Sequence, residues 1–204
     1  MGERLGPRPS RSERGAVLVE TAIFVVLLTT LISGVVRVAS TMGATTTLDH
    51  AARSLARASG ASSPSVVSDT SLLMGLAATL ADAPTLRLQR LVVFRPQPGT
   101  GDLPSGCDQP APPNAVAAGV AGVCNIFGPA HLAAVSEGAG PSAGCASGSW
   151  EAAWCPATRE HNSGELQLVG IRIEAELDPS GLGVLSSGAA LTATAVAALD
   201  PRVD

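Results

Sequence analysis

No lysine occurs in the 204 residues, and no tyrosine. All 13 basic residues are arginine. Without lysine this sequence has no phosphate-loop amine, no Schiff-base nucleophile and no Ser–Lys dyad. It also lacks the basic run that an anionic lipid patch requires. Aromatic residues make up only 2% of the chain, as three Phe and two Trp. Any core must therefore be built from Val, Leu, Ile and Ala, and it is expected to be thin. Charged residues are 15%, below the globular norm of about 25%. The net charge of −4 leaves no electrostatic footprint for nucleic acid. There is no H-E-x-x-H and no G-x-G-x-x-G opening a helix. Glu174 and Glu176 share a strand face, where a solvated pair is expected rather than a glycosidase pair. These absences predict a protein that is not an enzyme and needs no cofactor.

Apolar residues are abundant and unevenly spread. From Ala16 to Val36 runs AVLVETAIFVVLLTTLISGVV, 21 residues with the single charge Glu20. About 20 apolar residues span a bilayer as a helix, and a signal-peptide core is shorter. Residues 1–15 carry Arg4, Arg8, Arg11 and Arg14 against Glu3 and Glu13. That excess predicts a cytoplasmic N-terminus and an extracytoplasmic remainder, anchored in the cell membrane by one pass. A plain signal anchor explains hydropathy alone, but it does not explain Glu20. A carboxylate at the bilayer centre costs about 2.5–3.5 kcal/mol on insertion scales. Glu20 is the fifth residue after Gly15. Cleavage between Gly15 and Ala16 would free an α-ammonium that Glu20 of a neighbouring subunit could neutralise, fixing register between subunits. Basic leader, Gly, four residues, Glu and apolar helix together form the type IV prepilin pattern.

The stretch RGAVLVETAIFVVLLTTL, with Arg14, Gly15, Val19 and Glu20, resembles the TadE-like pseudopilins of tight-adherence (Tad, or Flp) pilus systems. So does LDHAARSLARAS, with Ala51, Ala52, Arg53, Ala56 and Arg57. GVCNIF (122–127), Trp154–Pro156 and LVGIRIEAEL (168–177) resemble exported domains of actinobacterial members. Thr21 and the proline-free span depart from the family pattern. The resemblance implies a minor pilin or pseudopilin contributing to the assembly or tip of a Tad-type pilus. Its implied partners are the membrane, other pilins, the pilus assembly machinery and a prepilin peptidase. The alternatives are an uncleaved, membrane-anchored extracytoplasmic binding module and an exported hydrolase of unfamiliar type.

The predicted organisation is a leader at 1–15, a transmembrane helix at 16–36, a stalk helix at 37–60 and an α+β head at 61–204. Val38, Met42, Thr45, Leu48, Ala52, Leu55 and Ala56 recur at helical spacing. One helix is expected from Ala16 to about Ala58, stopped by Gly60, with a break near Gly34 or Gly43 as the alternative. The head begins with a second helix at 66–80. Strands are expected at 86–94, where alternation slips at 90–92, and at 166–177 and 191–199. A short strand at 123–127 and a helical turn at 129–135 lie between them. Arg172, Glu174 and Glu176 are expected in water. The resulting fold class is α+β: a long N-terminal helix on a small antiparallel sheet, pilin-like in outline and rich in loops.

Cys107, Cys124, Cys145 and Cys155 all lie in the loop-rich middle. Four cysteines in an exported segment read as two disulfides, with three connectivities open. Sequential pairing would close short loops, each worth about 3 kcal/mol. Zinc is the rival reading, but no C-x-x-C occurs, and His131 and His161 have no ligand-like spacing. His50 reads as a surface residue. Trp150 and Trp154 flank Glu151 and either cap the core or form an adhesive patch.

Overall fold

The computed structural model describes residues 11–61, 69–138, 145, 149–159, 168–178 and 188–199. With no proline between Arg11 and Ala61, the chain forms a single helix there, α1 (Arg11–Ala61). It starts five residues before the expected Ala16 and ends three after Ala58. Gly60 does not stop it. A Cβ on Gly60 would stand 2.5 Å from the Ala198 carbonyl oxygen. The missing side chain is what lets helix and strand backbones approach each other.

The chain divides into two compact units, residues 1–42 and 43–204. In the first unit every large apolar side chain from Val17 to Met42 is exposed. The hydroxyls there bond to the helix's own carbonyls: Thr21 to Val17, Thr30 to Val26 and Ser33 to Thr29, at 2.7–2.8 Å. They therefore add little cost in an apolar medium. Among the described residues, α1 is the one helix long and apolar enough to cross a membrane.

In the second unit the buried stripe of α1 is Ala44, Leu48, Ala51, Ala52, Leu55, Ala56 and Ser59. Val38, Met42 and Thr45, expected on that stripe, are exposed instead. Small side chains fill the stripe, so the helix lies close to its neighbours. α2 (Asp69–Ala81) adds Leu72, Leu73, Leu76 and Leu80. Residues 66–68 of the expected helix lie outside the described residues. The sheet holds β1 (Leu86–Phe94), β2 (Gly119–Val120), β3 (Cys124–Phe127), β4 (Leu168–Leu177) and β5 (Ala190–Ala198). Its order is β2-β3-β1-β4-β5, and all neighbours are antiparallel. The fold is thus α+β with an antiparallel sheet and two disulfides.

The slip at 90–92 is a register irregularity between Leu88 and Arg90. An extra residue there exchanges the faces of the strand. Leu86, Leu88, Leu91 and Val93 still join the main core beneath the helices, as their spacing predicted. Val92 and Phe94 turn to the opposite face, where they meet Cys107, Cys124 and Ile126. The loop after β1 covers that second core, with Leu103, Ala111 and Ala118 against it. Phe94 also lies where a Cβ on its cross-strand partner Gly170 would stand. A ring filling the space over a strand glycine helps fix the register. α3 (Pro129–Ser136) opens on a proline, whose fixed φ suits a first helical position.

Candidate functional site

Three features carry the chemistry-bearing residues: the start of α1, a buried polar seam in the head, and an arginine cluster on the second face of the sheet. Gly15, Ala16 and Glu20 lie on one helix. Five residues of helix advance about 7.5 Å. Nothing stands within 4 Å of where a Gly15 Cβ would be. Glu20 is exposed, and its carboxylate has no hydrogen bond or ion pair to another described residue.

The four cysteines pair sequentially. Cys107–Cys124 ties the loop after β1 to β3, with Cα atoms 6.2 Å apart. Cys145–Cys155 closes a ten-residue separation, with Cα atoms 5.3 Å apart. No sulfur is left as a free metal ligand. His131 is buried, and its ring is spent on structure. Its Nδ1 accepts the Gly128 amide at 3.1 Å, and Nε2 faces the Val116 carbonyl at 3.0 Å. Burial pushes its pKa down, with the Val116 hydrogen bond opposing. The neutral ring stacks edge-on between Phe127 and Trp150, 5.4 and 4.9 Å between centroids. His50 is exposed on α1, and His161 lies outside the described residues.

Trp150 and Trp154 belong to the core, not to a surface patch. The Trp150 indole donates to the Ala115 carbonyl at 2.9 Å. Asn125 clamps Trp154 by its backbone: Oδ1 accepts its amide and Nδ2 donates to its carbonyl, both at 2.8 Å. The same Nδ2 donates to Asp69 Oδ2 at 2.6 Å, and Arg159 Nη2 donates to that oxygen at 2.6 Å. The Arg159 guanidinium lies 4.2 Å over the Trp154 ring. Glu151, between the two tryptophans, accepts the Thr70 amide at 2.9 Å and its hydroxyl at 3.2 Å. The Glu151 carboxyl therefore meets an amide in the first turn of α2, where the helix dipole favours a negative charge. Burial still pushes the Glu151 carboxyl up, against the Thr70 hydrogen bonds and with Asp69 adding to the rise.

This seam joins α2, β3 and residues 149–159, three pieces far apart in sequence. Sequence reading missed Asp69 and Arg159 and met Asn125 only inside a motif. The available signals were an acid opening a helix and a polar residue in an apolar strand.

The second face corrects another expectation. Glu174 is not in water but only 22% exposed, and Arg90 grips it through Nε at 2.6 Å and Nη2 at 2.8 Å. Arg172 adds a bond to Glu174 at 2.8 Å. Arg90 also donates to the Gln109 carbonyl at 2.6 Å and to Asp108. The cluster pins the loop after β1 to the sheet. Burial would raise Glu174, but the hydrogen bonds from Arg90 and Arg172 outweigh it and hold the carboxyl below its usual range. The hydrogen bond from Arg90 likewise lowers Asp108.

The seam is buried, and there the Thr70 hydroxyl meets the Glu151 carboxylate; the arginine cluster reaches the surface at Asp108, which is 63% exposed. Sequence reading took no Gly-x-Ser-x-Gly to occur, but Gly140–Gly144 has that spacing; it lies outside the described residues. The last described element before it is helix α3, whereas a nucleophile elbow follows a strand. Among the described residues, no group of three or more His, Cys, Asp or Glu gathers as a metal site. Among the described residues, exposed large apolar side chains are concentrated in the first unit of α1. Compared with protein-family models, curated proteins and solved structures, the chain matches none.

Proposed function

We propose that this chain is a single-pass structural subunit, a minor pilin or pseudopilin of the TadE-like kind, held in a membrane by α1. One observation carries the reading. From Val17 to Val36 the helix exposes large apolar side chains, and its only charge is Glu20, five residues past Gly15. Water does not tolerate an apolar surface of that extent on a lone monomer. A bilayer accepts it, and so does a bundle of like helices, because lipid tails and leucine are equally apolar. A helix of this kind can therefore pass from lipid into an assembly at small cost.

Glu20 supplies the direction of assembly. A prepilin peptidase cutting after Gly15 leaves an ammonium on Ala16, and Glu20 of an adjoining subunit neutralises it. Cleavage removes four arginines and two glutamates, leaving nine arginines against fifteen carboxylates, a net charge of −6. The arginine-rich leader keeps the N-terminus cytoplasmic, and the head stands outside the cell.

Intact mass and N-terminal sequencing of protein from membranes and from sheared surface material test the proposal. A chain beginning at Ala16 in the sheared fraction is the expected result. A chain that keeps residues 1–15 and stays in membranes beside an active peptidase would overturn it in favour of an uncleaved anchored binding module. Glu20→Ala should still be cut but should fail to enter assemblies. Normal incorporation would refute the charge pairing.

A further inference from the structure

The two disulfides differ in how they meet solvent. Both sulfur-bearing residues of Cys107–Cys124 are fully buried in the second core, at 0% exposure. In the other bridge Cys155 is 8% exposed, while Cys145 is an exposed residue. The two ends of this second bridge also differ in how firmly they are held. Cys155 directly follows Trp154, whose amide and carbonyl are both clamped by Asn125. Its own carbonyl accepts the Thr158 amide at 3.1 Å. The segment it belongs to is further fixed by Glu151 on Thr70, Trp150 on Ala115 and Arg159 on Asp69. The seam thus holds Cys155 through contacts other than the bridge, and Cys145 is the exposed residue of the pair.

We infer that Cys145–Cys155 is a site of thiol–disulfide exchange with a dithiol partner, and that it can be opened and closed on the folded head. One thiolate of the dithiol attacks Cys145 Sγ. The Cys145–Cys155 bond breaks, a mixed disulfide forms on Cys145, and Cys155 leaves as a thiolate and takes up a proton. The partner's second thiol, as its thiolate, then attacks the partner's own sulfur in the mixed disulfide. Cys145 leaves as a thiolate and is protonated in turn. Two electrons and two protons pass to the cystine, and the dithiol becomes a disulfide. Run in reverse, the same steps close the bridge after the head has folded. Cys107–Cys124 has no such freedom, because an attacking sulfur reaches it only when the sheet and its covering loop separate.

The test treats the full chain, in detergent and without denaturant, with dithiothreitol for increasing times. Free thiols are then alkylated, and the protein is cut after glutamate. Cuts at Glu137 and Glu151 leave Cys107 and Cys124 on one fragment and place Cys145 and Cys155 on two others. Alkylation is expected at Cys145 and Cys155 while tryptophan emission stays native. Cys107 and Cys124 should react at least about a thousandfold more slowly, since their exposure follows the small unfolded fraction of a stable domain. Adding urea through the unfolding transition should abolish the difference. Equal rates at both bridges without urea would overturn the inference, as would protection of Cys145–Cys155 until the head unfolds. In Cys145→Ser/Cys155→Ser, early alkylation should vanish and the slow pair should keep its rate. Acceleration of the slow pair would show that the second bridge is needed to hold the fold and would also refute the inference.

Discussion

Asn125→Ala should damage the head more than any substitution of an exposed residue. The wild-type side chain is fully buried and makes three hydrogen bonds, two to the Trp154 backbone and one to the Asp69 carboxylate. Neutral bonds contribute about 1 kcal/mol each and a charge-assisted bond about 2, so the three together are worth about 4 kcal/mol. A loss of about 3–5 kcal/mol follows for the variant, a large share of the roughly 5–15 kcal/mol of an ordinary domain. The only two tryptophans in the chain, Trp150 and Trp154, both belong to the core. Their emission in detergent therefore reports unfolding of this region directly. With a urea slope of about 2 kcal/mol per molar, the midpoint should fall by about 2 M with little change in slope. Asn125→Asp separates the causes. It keeps an acceptor for the Trp154 amide but loses the donor and sets a second carboxylate against Asp69. It should be at least as unstable as the alanine variant. A midpoint shift below about 0.5 M for Asn125→Ala, or near wild-type stability for Asn125→Asp, would refute the view that the seam's hydrogen bonds hold residues 149–159.

Three further outcomes are expected from the same unfolding assay. Glu151 has a raised folded pKa, so the folded head binds its proton more tightly than the unfolded chain. Stability from this group is therefore lost as pH rises from about 4.3, the unfolded value, through the folded value. Glu151→Gln, which keeps the acceptor for Thr70, should remove that loss and gain on wild type as pH rises, and a difference constant with pH would refute it. For Glu174 and Asp108, whose pKa values are lowered, the sign is opposite: their stabilisation is present above about pH 4 and is lost as pH falls through the folded values. Arg90→Met should cost about 1–3 kcal/mol at neutral pH, by leaving the part-buried Glu174 to Arg172 alone, and should flatten the acid limb of the stability curve. Gly60→Ala should destabilise in spite of a helix-propensity gain of about 1 kcal/mol, because its methyl meets the Ala198 carbonyl. Gly43→Ala, with nothing within 4 Å, should be neutral or stabilising. Equal effects at the two glycines would count against the close approach at Gly60.

Much of the fold is legible locally. The alternation of Leu86–Phe94 and Leu168–Leu177 reflects a strand with one face on a core, and the slip inside the first is the register irregularity itself. The helix of α1 follows from its composition and the absence of proline. Less legible is the second face of the sheet. Arg172, Glu174 and Glu176 alternate with apolar residues, which reads as a wet face. Whether that face is wet depends on a loop some 70 residues away, and Arg90, Asp108 and Gln109 bring that loop down onto it. Nor could the polar seam be read beforehand, since Asp69, Asn125 and Arg159 show no mutual spacing and meet only when α2, β3 and residues 149–159 converge.

The sequence by itself determined the long apolar helix with its lone carboxylate, the strand segments, the α+β class and the even set of cysteines. These rest on hydropathy, periodicity and counting, which are properties of neighbouring residues. Only the tertiary structure decided which cysteines pair, that β1 and β3 are covered on both faces, and that both tryptophans and Glu151 belong inside. Those outcomes depend on distances between residues remote along the chain, and burial of a polar group is settled by whether a partner arrives from elsewhere in the fold.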